Sequence, residues 1–306
     1  MECVINGWLI IDKPLGLGST TAVSWVKRAL RQGGYGKVKV GHGGTLDPLA
    51  TGVLPIALGE ATKLAGRMLD ASKIYDFTIG FGTQTDTLDG EGVVIATSDV
   101  RPNRAEVEAV LSQFTGPIEQ MPPAYSALKV DGKRAYDLAR AGEEVVLKTR
   151  AVTIYSLAVQ GSGDGEVTLS AHVSKGTYIR SLARDISLAL GTVGHVTMLR
   201  RTKAGPFTLE NAIKLDNLDG IATGRMLEDV ILPLTAGLDD IPALPVTQAQ
   251  AAALRQGRVL TGIPTNDGSY LANDGNTPVA LIEAISGEIR VVRGFNIQPD
   301  VAKEEI

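Results

Sequence analysis

Residues 41–59 read GHGGTLDPLATGVLPIALG. Glycines 41, 43 and 44 allow a backbone to come close to a ligand, and Asp47 then stands directly before Pro48 and an apolar run that reads as buried. Pro48 disfavours helical geometry at Asp47 itself, so the plain expectation is that Asp47 caps the first turn of a helix. Its company suggests a second expectation. A charged side chain in a glycine-rich loop between apolar segments needs a cationic partner once it is desolvated. The best candidate is Arg180 in SKGTYIRSLARD (residues 174–185), at the start of a helix that follows a buried-looking strand.

The totals bound what such a loop can belong to. With 306 residues, 44% hydrophobic and 21% charged, the chain can bury a large core and divides into one large and one small domain. No run of about 18 apolar residues is present, and the start, MECVINGWLIIDKP, lacks the features of a signal peptide, so a cytoplasmic protein is expected. The lone Cys3 excludes an internal disulfide. His42, His172 and His195 lie far apart, so no metal site is expected.

The net charge of −4 hides a bipolar distribution. Residues 1–75 carry nine Lys/Arg against five Asp/Glu, and residues 120–205 carry twelve against seven; residues 76–119 and 206–306 are acidic. Two basic blocks in an acidic chain suit a polyanion held on one face, although ordinary surface charge gives the same pattern.

The chain opens with a strand, Trp8–Asp12, the turn KPLGLGS, and a helix from about Thr20 to Arg31, capped by Ser19 or Thr20, with Ala22, Val23, Val26, Ala29 and Leu30 on one face. Gly16-Leu-Gly18 lacks the third glycine of a dinucleotide fingerprint, so it reads as a turn. Further on come a short helix near Glu60–Asp70, a strand Tyr75–Phe81, the loop GTQTDTLDGEG, a strand Val93–Thr97 and a helix Arg104–Phe114. Residues 116–150 read as a basic excursion with one helix, Arg134–Ala141. Strands Val152–Gln160 and Val167–Val173 form a hairpin, followed by a helix Tyr178–Leu190 and a strand His195–Arg200. The order predicts an α+β domain over residues 1–240, with a mixed, mainly antiparallel sheet and flanking helices. A Pro/Asp-rich connection then leads, at Leu244–Pro245, to a small β-rich domain over 244–306, opened by a helix Thr247–Arg255 with capping-box spacing.

Taken together, GHGGTLDPLATGVLP with GEATK, SKGTYIRS, DKPLGLGS and MPPAYSALK resemble the TruB-type tRNA pseudouridine synthases, in order and spacing over residues 8 to about 205. The resemblance implies the pseudouridine synthase fold and a small PUA-like C-terminal domain. It also implies an isomerase that converts uridine 55 in the tRNA T-loop to pseudouridine without cofactor or metal. By position it makes Asp47 the nucleophile and Arg180 its partner. Tyr75 in SKIYDF matches a tyrosine that stacks on the target base and can serve as general base; Tyr178 and Leu199 match positions that enclose the uracil. His42 matches a histidine that fills the space left by a flipped nucleotide, and Lys13 matches a lysine that supports the site's floor through its packed stem. The chain departs from the family where Gly43 and Gly18 stand in place of hydroxyl residues.

For tRNA affinity the candidates are Lys129, Lys133, Arg134 and Arg140 on the excursion and Arg200, Arg201 and Lys203 after the last strand, all suited to phosphate. A monomer binding the T-arm is expected, and a tRNA-folding chaperone that grips a flipped base is a compatible second activity. A carboxylate-based nucleoside hydrolase would need a second acid near Asp47, and Asp86 and Asp89 read as turn residues.

Overall fold

The computed structural model describes residues 5–126, 128–130, 133–134, 136, 141 and 147–297. The protein is built on a large mixed sheet. Strand β1 (Gly7–Lys13) leads into helix α1 (Ser19–Gln32); β2 (Val40–His42) and β3 (Ala50–Leu58) follow. After a 3-10 turn comes α2 (Ala65–Asp70), then β4 (Lys73–Phe81) and the small ribbon of β5 (Thr83–Thr85) and β6 (Val94–Thr97). Helix α3 (Arg104–Val110) precedes β7 (Gly116–Gln120). The ribbon of β8 (Lys129–Val130) and β9 (Lys133–Arg134) stands apart from the main sheet. The hairpin of β10 (Arg150–Gly163) and β11 (Glu166–Val173), the helix Ile179–Ala189 and β12 (Gly194–Ala204) complete the centre.

The main path of the sheet runs β7, β10, β11, β4, β12, β3, β1. Most pairings are antiparallel, and β12 with β3 is parallel. This parallel contact, with Leu199 opposite Ala50, carries the chain segment around Asp47 to the middle of the sheet. It requires close backbone approach. Gly52 has φ +100°, and any Cβ there would collide with the Arg201 backbone.

Helix α1 buries the expected stripe, Ala22, Val23, Val26, Ala29 and Leu30, against β1 and β3. Its N-cap is neither Ser19 nor Thr20 but Gly18, which offers no side-chain bond. Ser19 is instead the first helical residue, and its hydroxyl is engaged elsewhere. Nor does Asp47 begin a helix: the backbone N–H of Ala50 donates to the Asp47 carbonyl at 3.0 Å, closing a single turn before β3.

The stretch 116–120 is an edge strand of the main sheet, paired with β10, rather than part of an excursion. Arg134, the expected start of a helix, lies in β9; most of the remaining span to Ala141 falls outside the described residues. Strand β10 also runs through Gly161–Gly163, so the hairpin turn is only Asp164-Gly165. Residues 206–240, unassigned from sequence, form short 3-10 and α-helical turns with two-residue strands, of which Ile213–Lys214 and Ile231–Leu232 pair with β1.

From Ala243 the chain enters a separate five-stranded sheet, covered by the helix Gln248–Arg255. The capping box is formed as its spacing predicts, with Thr247 accepting from the Gln250 N–H and Gln250 from that of Thr247. Leu271 of this sheet and Phe295, just after its last strand, join Trp8, Met68 and Phe207 in one apolar cluster, so the two sheets share core. No helix of the described residues is long and apolar enough to cross a membrane.

Candidate active site

The Asp47 turn is fixed from below by the first motif. Ser19 Oγ donates to the Leu46 carbonyl (3.0 Å) and accepts from the Leu46 N–H (2.8 Å). Gly16 N–H donates to the Pro48 carbonyl at 2.9 Å. The Lys13 ammonium, fully buried, donates to the carbonyls of Leu17 (2.6 Å), Pro14 (3.0 Å) and Pro48 (3.3 Å). Burial lowers the Lys13 pKa to about 8, with the Asp47 carboxylate opposing that shift. Lys13 thus ties the 14–18 turn to the Asp47 turn through its charged head as well as its stem.

From above comes Arg180, in the first turn of the helix Ile179–Ala189. Its Nη2 lies 3.0 Å from Asp47 Oδ2, and its Nη1 lies 3.3 Å from Asp89 Oδ2. The same two nitrogens also donate to the carbonyls of Tyr125 (3.0 Å) and Thr87 (2.8 Å). The guanidinium is therefore locked by four acceptors, as its planar fork permits. The Arg180 side chain is 7% exposed and that of Asp89 9%, whereas Asp47 is 42% exposed. Of the two carboxylates on this guanidinium, Asp47 is the one presented to a ligand.

Asp89, which reads from sequence as a turn residue, is a second acid at this guanidinium. It is not available for acid–base work: its Oδ1 accepts from Thr87 Oγ1 (2.6 Å) and from the Glu91 N–H (3.1 Å), while Oδ2 faces Arg180. Such saturation suits a buried counter-charge for Arg180.

A cavity of about 490 Å³ opens over this pair. Asp47, Arg180, Tyr75, Tyr178, Leu199 and Arg201 all line it, so six of the candidate residues are brought together. Tyr75 stands on β4 beside β12, and Leu199 on β12 opposite Ala50. Tyr178 is held by Gln120, which is fully buried and bonds its backbone twice: Nε2 to the Tyr178 carbonyl (3.1 Å) and Oε1 from the Tyr178 N–H (2.8 Å). The MPPAYSALK motif contributes carbonyls, with Met121 accepting from Ser181 Oγ and Arg184, and Tyr125 from Arg180. Its Tyr125 hydroxyl donates to Asp86 at 3.0 Å.

His42 does not line this cavity. It lies on β2, half-buried, and burial together with the nearby Arg201 charge lowers its pKa. The departure at Gly43 has a physical counterpart, because a Cβ there would come within 2.7 Å of Met68, which occupies the space.

The two adjacent arginines on β12 are not free surface cations. Arg200 pairs with Asp12 through both amino groups (3.0 and 2.9 Å). Arg201 is 1% exposed; its Nε donates to the Val53 carbonyl and its Nη1 to that of Thr45. Arg201 therefore braces β3 against the glycine loop and lines the cavity from within. Lys203 is half-buried on the same strand. Lys129, Lys133 and Arg134 belong to the β8–β9 ribbon, and Arg140 lies outside the described residues.

Comparison with known proteins matches the chain to a family. Residues 29–179 fit the model of the TruB family pseudouridylate synthase N-terminal domain, and residues 180–239 that of the tRNA pseudouridylate synthase B C-terminal domain. A protein named tRNA pseudouridine synthase B from Novosphingobium aromaticivorans is 65% identical, covering 98% of this chain and 100% of its own length. The chain belongs to the TruB family. A relative of the same name from Zymomonas mobilis is 59% identical over 95% of this chain and 96% of its own. As a TruB-family member the chain is a pseudouridine synthase, an isomerase. Among solved structures, a chain of an H/ACA RNP bound to a substrate RNA containing 2′-deoxyuridine superposes with a TM-score of 0.73 at 25% identity, covering 97% of this chain and 86% of that one. A chain of a Cbf5–Nop10–Gar1 complex gives 0.70 at 28% identity, covering 92% and 79%.

Proposed function

We propose that this TruB-family enzyme isomerises uridine 55 in the T-loop of tRNA, with Asp47 as the attacking carboxylate on a flipped-out nucleotide. One observation carries the reading. Asp47, half-exposed, is held 3.0 Å from a buried arginine at the floor of a cavity whose walls include Tyr75, Tyr178 and Leu199. The tRNA substrate is supported by the names of the close relatives, and position 55 by the motifs that these residues compose.

The reaction breaks the N1–C1′ bond, turns the uracil in the site, and joins C5 to C1′. The C5 hydrogen leaves as a proton and N1 gains one, so the nucleotide keeps its composition. Asp47 serves by attack on C1′, by addition to C6, or by taking the C2′ proton to form a glycal, and each requires its carboxylate ionised and aimed. Arg180 does the aiming. Because its other acceptors are two backbone carbonyls and the buried Asp89, it cannot swing away with the substrate. A base still in its stack could not be turned over, so the nucleotide enters flipped, with Tyr75 and Tyr178 offering flat faces in place of its neighbours.

The T-arm is the docking partner of a monomer, with Lys129, Lys133 and Arg134 of the β8–β9 ribbon as candidate phosphate contacts. The test uses unmodified tRNA tritiated at uracil C5. Release of one label per tRNA, with the product mapped to position 55, is the expected result; no release, or release from another uridine, contradicts it.

A further inference from the structure

From residue 13 to residue 46 the chain carries six Lys/Arg and no Asp or Glu, in a protein of net charge −4. The fold concentrates four of these cations. Lys27 and Arg31 lie four residues apart on α1, and Lys37 and Lys39 on the connection to β2; all four are exposed and line one open recess of about 900 Å³. Arg225 adds a fifth cation beside Gly34, at the mouth of the same connection.

These charges lack the carboxylate partners that several exposed cations have elsewhere on the molecule, a lack they share with the scattered Lys148, Lys214, Arg258 and Arg293; what sets the four apart is that they are clustered on one recess. Arg28 pairs with Asp219, Arg67 with Asp240, Arg104 with Glu108 and Lys175 with Asp70. Among the described residues none of the four has an ion pair. Cations at a helix C-terminus complement its dipole, which accounts for Arg31 and in part for Lys27. It does not account for Lys37 and Lys39, which lie outside any helix.

The geometry points to a second RNA-binding site, in which this recess takes the phosphate backbone of the substrate at a distance from the reacting nucleotide. The inference rests on the proposed function. Val40 pairs with Leu58 at the far end of β3 from the Asp47 turn. The eight steps of β3 span roughly 26 Å at about 3.3 Å per residue. That is the length of about eight stacked nucleotides at ~3.4 Å each, a span that an RNA arm reaches and a free nucleotide does not. Lys and Arg on a shallow recess suit a backbone contact that positions without reading sequence. The apolar floor of Leu30, Val38 and Val40 suits ribose faces better than a hydrated small anion.

The test replaces Lys27, Arg31, Lys37 and Lys39 together by glutamine in the full chain. Each lost phosphate contact removes about 0.9 from the slope of log affinity against log salt, so the slope for full-length tRNA falls by roughly 3 to 4. Alongside it, KM for tRNA rises tenfold or more while kcat at saturating tRNA holds. Should the variant fold poorly, acetylation of the wild-type protein decides. Lys27, Lys37 and Lys39 are then protected by bound tRNA, with exposed Lys214 as the control. An unchanged slope and KM in a folded variant, or lysines acetylated equally with and without tRNA, overturn the proposal; capture of an acidic protein by the recess, in place of RNA, does so too. Tritium release by the wild-type enzyme tests the proposed function separately, since the slope is read from binding alone.

Discussion

Asp47 and Asp89 share one guanidinium, at 3.0 and 3.3 Å, yet the first is 42% exposed and the second 9%. The arginine is therefore a bridge between a counter-charge sealed in the protein and a carboxylate offered to the ligand. A surface ion pair of Asp47 with a flexible cation would cost side-chain entropy and drift with salt. Fixing Arg180 by buried acceptors leaves Asp47 as the only member of the trio with freedom to meet a substrate.

Arg180→Ala is expected to abolish turnover and to destabilise the fold by about 3–5 kcal/mol, because it leaves Asp89 buried without its charge partner. Adding Asp89→Ala to that variant recovers part of the stability and none of the activity. Urea melts of both single variants and the double variant check this; a double variant no more stable than Arg180→Ala would show that Asp89 is not a counter-charge.

For Asp89→Asn alone, the expected change is a drop in kcat of about 10–100-fold, on the order of 2 kcal/mol, with KM for tRNA nearly unchanged. Arg180 keeps its two carbonyl acceptors but loses the charge that balances it. Steady-state kinetics separate the two parameters, and a rise in KM with kcat intact would place Asp89 in binding instead.

Lys13 sets an alkaline limit. Its ammonium uses three protons on three carbonyls, and with a pKa of about 8 it gives one up in mildly alkaline solution, releasing one bond between the 14–18 turn and the Asp47 turn. Turnover is expected to fall above about pH 8. Stability moves the other way. Between about pH 8 and 10.5 the unfolded chain holds the Lys13 proton and the folded one does not, so folding becomes more favourable as pH rises through that window. Below pH 8 both states are protonated and the contribution is flat. Lys73, also lowered to about 8 by burial, titrates in the same range. A kcat–pH profile of Lys73→Met that retains the limb assigns it to Lys13, and loss of the limb assigns it to Lys73.

Gly52→Ala is expected to cost about 3 kcal/mol or more, since φ +100° and the Arg201 backbone both oppose a side chain. Activity falls with it, because Leu199 and the Asp47 turn are joined through that contact. Gly41→Ala, where a Cβ meets nothing within 4 Å, is the near-neutral control. Thermal melts of the two variants make the comparison.

What the sequence disclosed was mostly local. The stripe on α1, the β10–β11 hairpin and the Thr247–Gln250 box each depend on residues a few positions apart, and each formed. Arg180 was reachable because an acid between apolar segments is expected to find a cation, although Asp47 itself remains 42% exposed. Asp89 was not, since Thr and Gly around an aspartate signal a turn, and only folding brings position 89 to position 180. GPIEQ is short, polar and contains proline, which suits an edge strand but gives no periodic signal. The adjacent Arg200 and Arg201 looked like surface charge; on a strand they point to opposite faces, one to Asp12 and the other into the core.

The most direct measurement is single-turnover conversion of tRNA by Asp47→Asn, alongside its tRNA affinity. Asparagine can keep the same turn and the same place against Arg180 but carries no negative charge. The account predicts no detectable pseudouridine with affinity and melting temperature within a few-fold and a few degrees of wild type. Pseudouridine formed at an appreciable fraction of the wild-type rate would contradict it.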